Sequence, residues 1–221
     1  MSCTSGSTTV SIATPPMGDD SWVGWFLSQI GNEFLCRVPL EFMRDKFNLY
    51  DLESEVVNFS KSLDTIMDPE FCANNWVGDG AHIESERLYG LIHARYIMTA
   101  PGIDAMRRKY EYGDFGICPR VYCEGQHVLP IGLSEKSYES TVKIFCPCCR
   151  DIYQPTRNSA VLDGCMFGPN FPHMFLMELP THRPTLSEEK YVPRLYGFQL
   201  HKSALEPVPD PAANKCANSY A

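Results

Sequence analysis

Apolar positions along the chain recur first at helical spacing and then, beyond Gly113, at strand spacing. Trp22, Trp25 and Phe26 open the helical part, Leu40, Met43 and Phe47 repeat at i, i+3, i+7, and Val56, Phe59, Leu63 and Met67 keep that period up to Pro69. Each run predicts one buried helix face. Residues 68–81 hold no sustained period and read as a loop. The strongest helix is predicted over Ile83–Met98, with Leu88, Leu91, Ile92 and Tyr96 on one face. Pro101-Gly102 is expected to break it, and Ile103, Met106 and Tyr110 mark one more helix before Gly113. After Gly113, β-prone runs such as Pro119-Arg120-Val121-Tyr122 and Thr141-Val142-Lys143-Ile144-Phe145 alternate with Gly, Pro and Asn turns. The ends carry no such pattern. Residues 1–20, rich in Ser, Thr and Pro, are expected to form a disordered leader, and Pro207, Pro209 and Pro211 predict a loose tail.

Cysteine spacing sharpens the picture of the β-prone half. Cys118 and Cys123 are spaced C-x4-C, Cys146 and Cys149 are spaced C-x2-C, and 22 residues separate the pairs. Two knuckles, each ending a strand, can deliver four thiolates to one tetrahedral zinc ion. The intervening residues suffice for a returning hairpin, as in a zinc ribbon. Pro119 and Pro147 each follow a first ligand, where a fixed φ shapes a tight turn. Four thiolates leave no open coordination position, so the zinc, one per chain, is expected to be structural. Buried free thiols or half of a disulfide framework are the bland alternatives. Cys148, inside the second knuckle, would give C-x-C, a poorer chelate, and is expected to stay a free thiol; Cys3, Cys36, Cys72, Cys165 and Cys216 lack partners at ligand spacing. The expected fold class is therefore α+β. Its parts are a helical domain over 21–112, a small β-rich zinc-ribbon-like module over 113–180, and an extended C-terminal segment with its tail over 181–221.

Charge and missing motifs narrow the function. The chain has 19 Lys plus Arg against 27 Asp plus Glu, a formal charge of −8, which disfavours a nucleic-acid partner. Around the knuckles Arg120, Lys136, Lys143 and Arg150 are offset by Asp114, Glu124, Glu135, Glu139 and Asp151, so there is no basic stripe of the kind a zinc-ribbon nucleic-acid module needs. No apolar run reaches the ~18 residues of a membrane span. The N-terminus also lacks the pattern of a secretory signal, so a reducing compartment is expected. No Gly-rich phosphate loop, HExxH or G-x-S-x-G occurs, and His93, inside the strong helix, reads as a satisfied structural histidine. No catalytic residue is expected, and a closed metal site argues against a metallohydrolase.

Several strings along the chain are more specific than chance or a generic zinc ribbon would produce. They include Gly31-Asn32-Glu33-Phe34, Asp45-Lys46-Phe47-Asn48-Leu49, Leu88-Tyr89-Gly90-Leu91-Ile92-His93-Ala94-Arg95-Tyr96-Ile97 and Gly113-Asp114-Phe115-Gly116. Further along come Cys118-Pro119-Arg120-Val121-Tyr122-Cys123, Leu129-Pro130-Ile131-Gly132-Leu133-Ser134, Phe171-Pro172-His173-Met174 and Val192-Pro193-Arg194-Leu195-Tyr196-Gly197-Phe198. Together these strings resemble one family, the regulatory beta subunit of casein kinase II, and the similarity runs from about Ser21 to His201. It implies a non-catalytic protein in which the zinc module forms a homodimer and each C-terminal segment clasps a kinase catalytic (alpha) subunit. The assembly would be a tetramer of two regulatory and two catalytic chains, in the cytoplasm and nucleus, setting stability and substrate choice. In the family the clasp rests on an aromatic pair, which falls here on Tyr196 and Phe198. The chain departs from the pattern in its longer leader, in an acidic loop reduced to Asp64, Asp68, Glu70 and Asp79, and in its tail beyond His201. A relative that keeps the dimer without kinase binding is the alternative.

Overall fold

The computed structural model describes residues 21–68, 81–156, 161–186, 192 and 194–204. The expected leader, the loop from 69 to 80 with Glu70 and Asp79, the tail beyond 204 and the thiols Cys3, Cys72 and Cys216 lie outside them. Seven helices and five short strands occur among the described residues, an α+β fold. The chain divides into two compact units, Met1–Leu186 and Ser187–Ala221.

In the first unit, α1 (Trp22–Ser28) begins where Ser21 Oγ accepts a hydrogen bond from the Gly24 amide, and it buries Trp22, Val23 and Phe26. Such a cap is worth ~1 kcal/mol. Short helices α2 (Leu40–Arg44) and α3 (Leu52–Glu55) lead to α4 (Phe59–Met67), which packs on α5 (Ala81–Tyr96). The period through Leu40, Met43 and Phe47 is not one helix face. Met43 is buried, whereas Phe47 is exposed. The helix stops at Arg44 because Asp45 Oδ1 accepts from the Phe47 amide at 2.9 Å, a side-chain-closed turn that competes with helix continuation.

Pro101 and Gly102 do not interrupt a helix; they lie in the first turn of the next. α6 (Ala100–Tyr112) is capped by Thr99 Oγ1, which accepts from the Gly102 amide. Proline fits there because the first helical amides have no intrahelical acceptor. The α6 face Ile103, Met106 and Tyr110 is buried as predicted, and Gly113 ends the helix in the left-handed region at φ 75°.

Strands β1 (Leu129–Ile131), β2 (Lys143–Phe145) and β3 (Ile152–Tyr153) form an antiparallel sheet in that order, with Leu129 opposite Phe145 and Phe145 opposite Ile152. Helix α7 (Phe171–Glu178) packs on β1. Ring contacts tie the earlier part of the first unit to segments that flank the sheet. Phe34 meets Phe115 edge-on at 5.5 Å, His93 meets Phe167 at 5.3 Å, and Tyr110 lies 5.4 Å from Phe175. Gly132 and Gly164 pack back to back: a Cβ on Gly132 would stand 2.0 Å from the Gly164 carbonyl oxygen, a distance no side chain survives.

Among the described residues of the second unit, β4 (Arg194–Leu195) pairs with β5 (Phe198–Gln199) as a hairpin. Among the described residues no helix is long and apolar enough to cross a membrane.

Candidate metal centre and aromatic hairpin

The sulfurs of Cys118, Cys123, Cys146 and Cys149 lie within 4.8 Å of one another. Two different local folds bring them there. The first knuckle is not the strand that Pro119–Tyr122 suggested but a 3-10 turn over Val121–Cys123. It is closed by the Cys123 amide on the Arg120 carbonyl and the Glu124 amide on the Val121 carbonyl. An extended run would carry Cys123 away from Cys118; the turn folds it back. Cys118 and Gln126 complete the loop through the Cys118 amide on the Gln126 carbonyl at 2.8 Å. The second knuckle leaves β2 directly. The Arg150 amide returns to the Cys146 carbonyl at 2.8 Å, and Arg150 takes positive φ (60°) so the chain can re-enter β3. Arg120 and Asp151 pair at 3.0 Å, joining one knuckle to the other.

This donor set fits a tetrahedral zinc ion. A Zn–S bond of ~2.3 Å places sulfurs ~3.8 Å apart along a tetrahedral edge, and Cys118 and Cys149 already stand at 3.9 Å. Electrostatics points the same way. Burial, followed by the neighbouring thiols, raises Cys123, and burial pushes Cys146 up to about 12. Cys149 is drawn below its ordinary value although burial opposes this, because Tyr153 and the Asp151 amide hydrogen-bond its sulfur. Packed thiols that resist ionising together become a stable set when a dication supplies the opposite charge. Cys148 stays apart from the cluster: its thiol donates to the Thr185 carbonyl at 3.6 Å.

His93 is fully buried with both ring nitrogens engaged. Nδ1 stands 2.8 Å from the Met166 carbonyl, and Nε2 stands 3.1 Å from the Cys36 amide. Burial lowers it to about 4, so it is a neutral structural group.

In the second unit, Tyr196 and Phe198 are 93% and 79% exposed. Tyr196 and Gly197 are the two turn residues of the hairpin, at φ 48° and 86°. Positive φ at both centres is what a two-residue turn of the mirror-image type requires. The turn therefore presents the Tyr196 ring outward at its tip, and Phe198 starts the return strand opposite Leu195.

Residues 21–199 match the family described as casein kinase II regulatory subunit. The chain belongs to that family, whose members are non-catalytic. Similar proteins include the Suppressor-of-stellate-like protein of Drosophila melanogaster, 53% identical over 189 residues, covering 86% of this chain and 83% of that protein. Casein kinase II subunit beta' of the same fly is 48% identical over 190 residues, 84% of this chain and 86% of its own length. Casein kinase II subunit beta of Schizosaccharomyces pombe is 47% identical over 189 residues, 83% and 81% of the two chains. The matched stretch contains both the cysteine cluster and the aromatic hairpin.

Proposed function

We propose that this regulatory subunit works as a homodimer held by a zinc-ordered module, each chain offering Tyr196 and Phe198 to a kinase catalytic subunit. The observation that carries the reading is the hairpin itself. Two large rings kept in water are unfavourable for the isolated chain and good anchors for a partner. Their worth lies in contact with something else.

The dimer reading rests on the surface around the first knuckle. Ile117, Val121 and Tyr122 are exposed beside Cys118 and Cys123, and apolar side chains clustered on a rigid, metal-closed turn suit a self-complementary interface. Zinc bound by Cys118, Cys123, Cys146 and Cys149 would supply folding free energy to a module whose described strands are short, ~10–16 kcal/mol for typical structural sites. The 113–180 region then acts as the dimerising module and the 181–221 region as the kinase-binding one. The complex contains two regulatory and two catalytic chains, resides in cytoplasm and nucleus, and adjusts the stability and substrate choice of a serine/threonine kinase.

Light scattering coupled to size exclusion tests this. The zinc-loaded chain should run as a dimer and, with a casein kinase II catalytic subunit added, as a four-chain complex. A monomer would sink the dimer; a dimer that fails to take up kinase would leave only the reading in which kinase binding has been lost.

A further inference from the structure

A cleft of about 630 Å³ opens between α1, the first half of α5 and the segments 138–141 and 161–166. It lies outside the cysteine cluster and the hairpin, and its volume is within the range of small-molecule sites. Its floor is aromatic. The Trp25 ring and the His82 imidazole stand 4.8 Å apart at 44°, with Phe26 and Met166 beside them. Four of the large apolar side chains that the first unit leaves in water, Ile30, Ile83, Tyr138 and Val161, all line this one cleft. Scattered exposed apolar residues need no explanation, but their convergence on one concave mouth marks a binding surface.

The charged groups decide what would enter. Glu86, Glu139 and Asp163 line the cleft against the single guanidinium of Arg87. That cation is already employed: it lies 5.5 Å over the Tyr138 ring, donates through Nε to Ser137 Oγ, and has Glu55 and Glu84 at 3.9 Å. Two of the carboxylates are also engaged. Asp163 accepts from the amides of Tyr138 and Cys165, and Glu139 accepts from Ser134 Oγ. Glu86 differs. It pairs at 3.4 Å with His82 Nδ1, on a ring that itself lines the cleft, and partial burial raises its carboxyl above the ordinary range against the pull of His82. A partly dehydrated carboxylate beside an aromatic floor is complementary to a cation carried on a flat ring.

We propose that this cleft binds a small aromatic amine, the ring against Trp25 and His82 and the ammonium on Glu86. An anion is disfavoured because three carboxylates face a guanidinium held by other partners. A neutral apolar ligand would leave Glu86 dehydrated with no new partner.

Fluorine NMR on the full chain with fluorotryptamine as probe tests the assignment. Saturable binding is expected, weakened about tenfold or more by Glu86→Gln, since a charge-assisted bond is lost. Val161→Trp, at an exposed position on the cleft wall, should abolish it by filling the mouth. Phe47→Ala, at an exposed ring outside the cleft, should leave it unchanged. Absence of saturable binding to the wild-type chain would overturn the proposal. So would equal binding of fluoroindole acetate, or affinity untouched by both Glu86→Gln and Val161→Trp.

Discussion

His93 on α5 and Met166, 73 residues later, are joined by a buried hydrogen bond of 2.8 Å from Nδ1 to the carbonyl oxygen. The donor must be Nδ1–H, because a carbonyl only accepts; Nε2 is then the acceptor for the Cys36 amide. One neutral imidazole thus ties three separate stretches of the first unit. Burial lowers its folded value from 6.5 to about 4, so the sign of the linkage follows. The contribution is complete above ~6.5 and is lost as pH falls toward 4, because only the unfolded chain takes up the proton. The span is worth roughly 3 kcal/mol at ~1.4 kcal/mol per unit. Denaturant midpoints at pH 7 and pH 5 should differ for the wild-type chain. His93→Gln should be less stable at pH 7 by about 1–3 kcal/mol and should lose most of that pH difference. A variant with an unaltered pH difference would remove His93 from the explanation.

Cys148 and Cys149 are adjacent yet differ in their surroundings. Cys149 joins the four-sulfur cluster, whereas Cys148 donates to the Thr185 carbonyl. Cys148→Ser retains a donor of similar reach, so it should lower stability by less than ~1 kcal/mol and leave metal content at about one zinc per chain. Serine at Cys118, Cys123, Cys146 or Cys149 should strip the metal and with it the dimer. Elemental analysis beside light scattering on the five variants decides the matter. If Cys148→Ser lost zinc and Cys149→Ser kept it, the ligand set would be wrong.

How far the sequence foretold these features depends on how local their causes are. The cysteine pairs were legible because ligand spacing is a short-range constraint, and the returning hairpin follows from it. His93 was legible as structural because it sits inside an apolar helical run. Phe47 misled, since a period of i, i+3, i+7 cannot reveal that Asp45 closes a turn in the middle of it. The knuckle at Val121–Cys123 misled likewise: β-prone residues form a 3-10 turn where two sulfurs must converge. The cleft lined by Trp25, Glu86 and Val161 had no signal at all, because its walls come together only through tertiary packing.

Gly197 stands at φ 86°, and among the described residues nothing beyond its two chain neighbours comes within 4 Å of where a Cβ would lie. Any penalty for Gly197→Ala therefore comes from the left-handed backbone alone, about 1 kcal/mol. The loss falls on the hairpin, since Gly197 belongs to the second unit. Melting of the first unit should not change, while affinity for a catalytic subunit should fall roughly fivefold, the equivalent of ~1 kcal/mol. An equal loss in melting temperature would show that the hairpin supports the fold and is not simply displayed.

Tyr196 and Phe198 make the sharpest test of the kinase-binding role. Both rings are exposed, so truncation to Ala removes little packing within the chain, and surface changes of that kind usually stay within ~0.5 kcal/mol. If they anchor a partner, each truncation should cost at least ~2 kcal/mol of binding, about thirtyfold in dissociation constant. The dimer should persist in both variants, because Cys118, Cys123, Cys146 and Cys149 belong to the other unit. A structural role predicts the reverse: lower thermal stability, with kinase binding reduced only in proportion to unfolded protein. Melting temperature and kinase affinity measured on the same Tyr196→Ala and Phe198→Ala samples separate these patterns. Full affinity in both variants would leave the exposed rings unexplained and favour a subunit that dimerises without gripping a kinase.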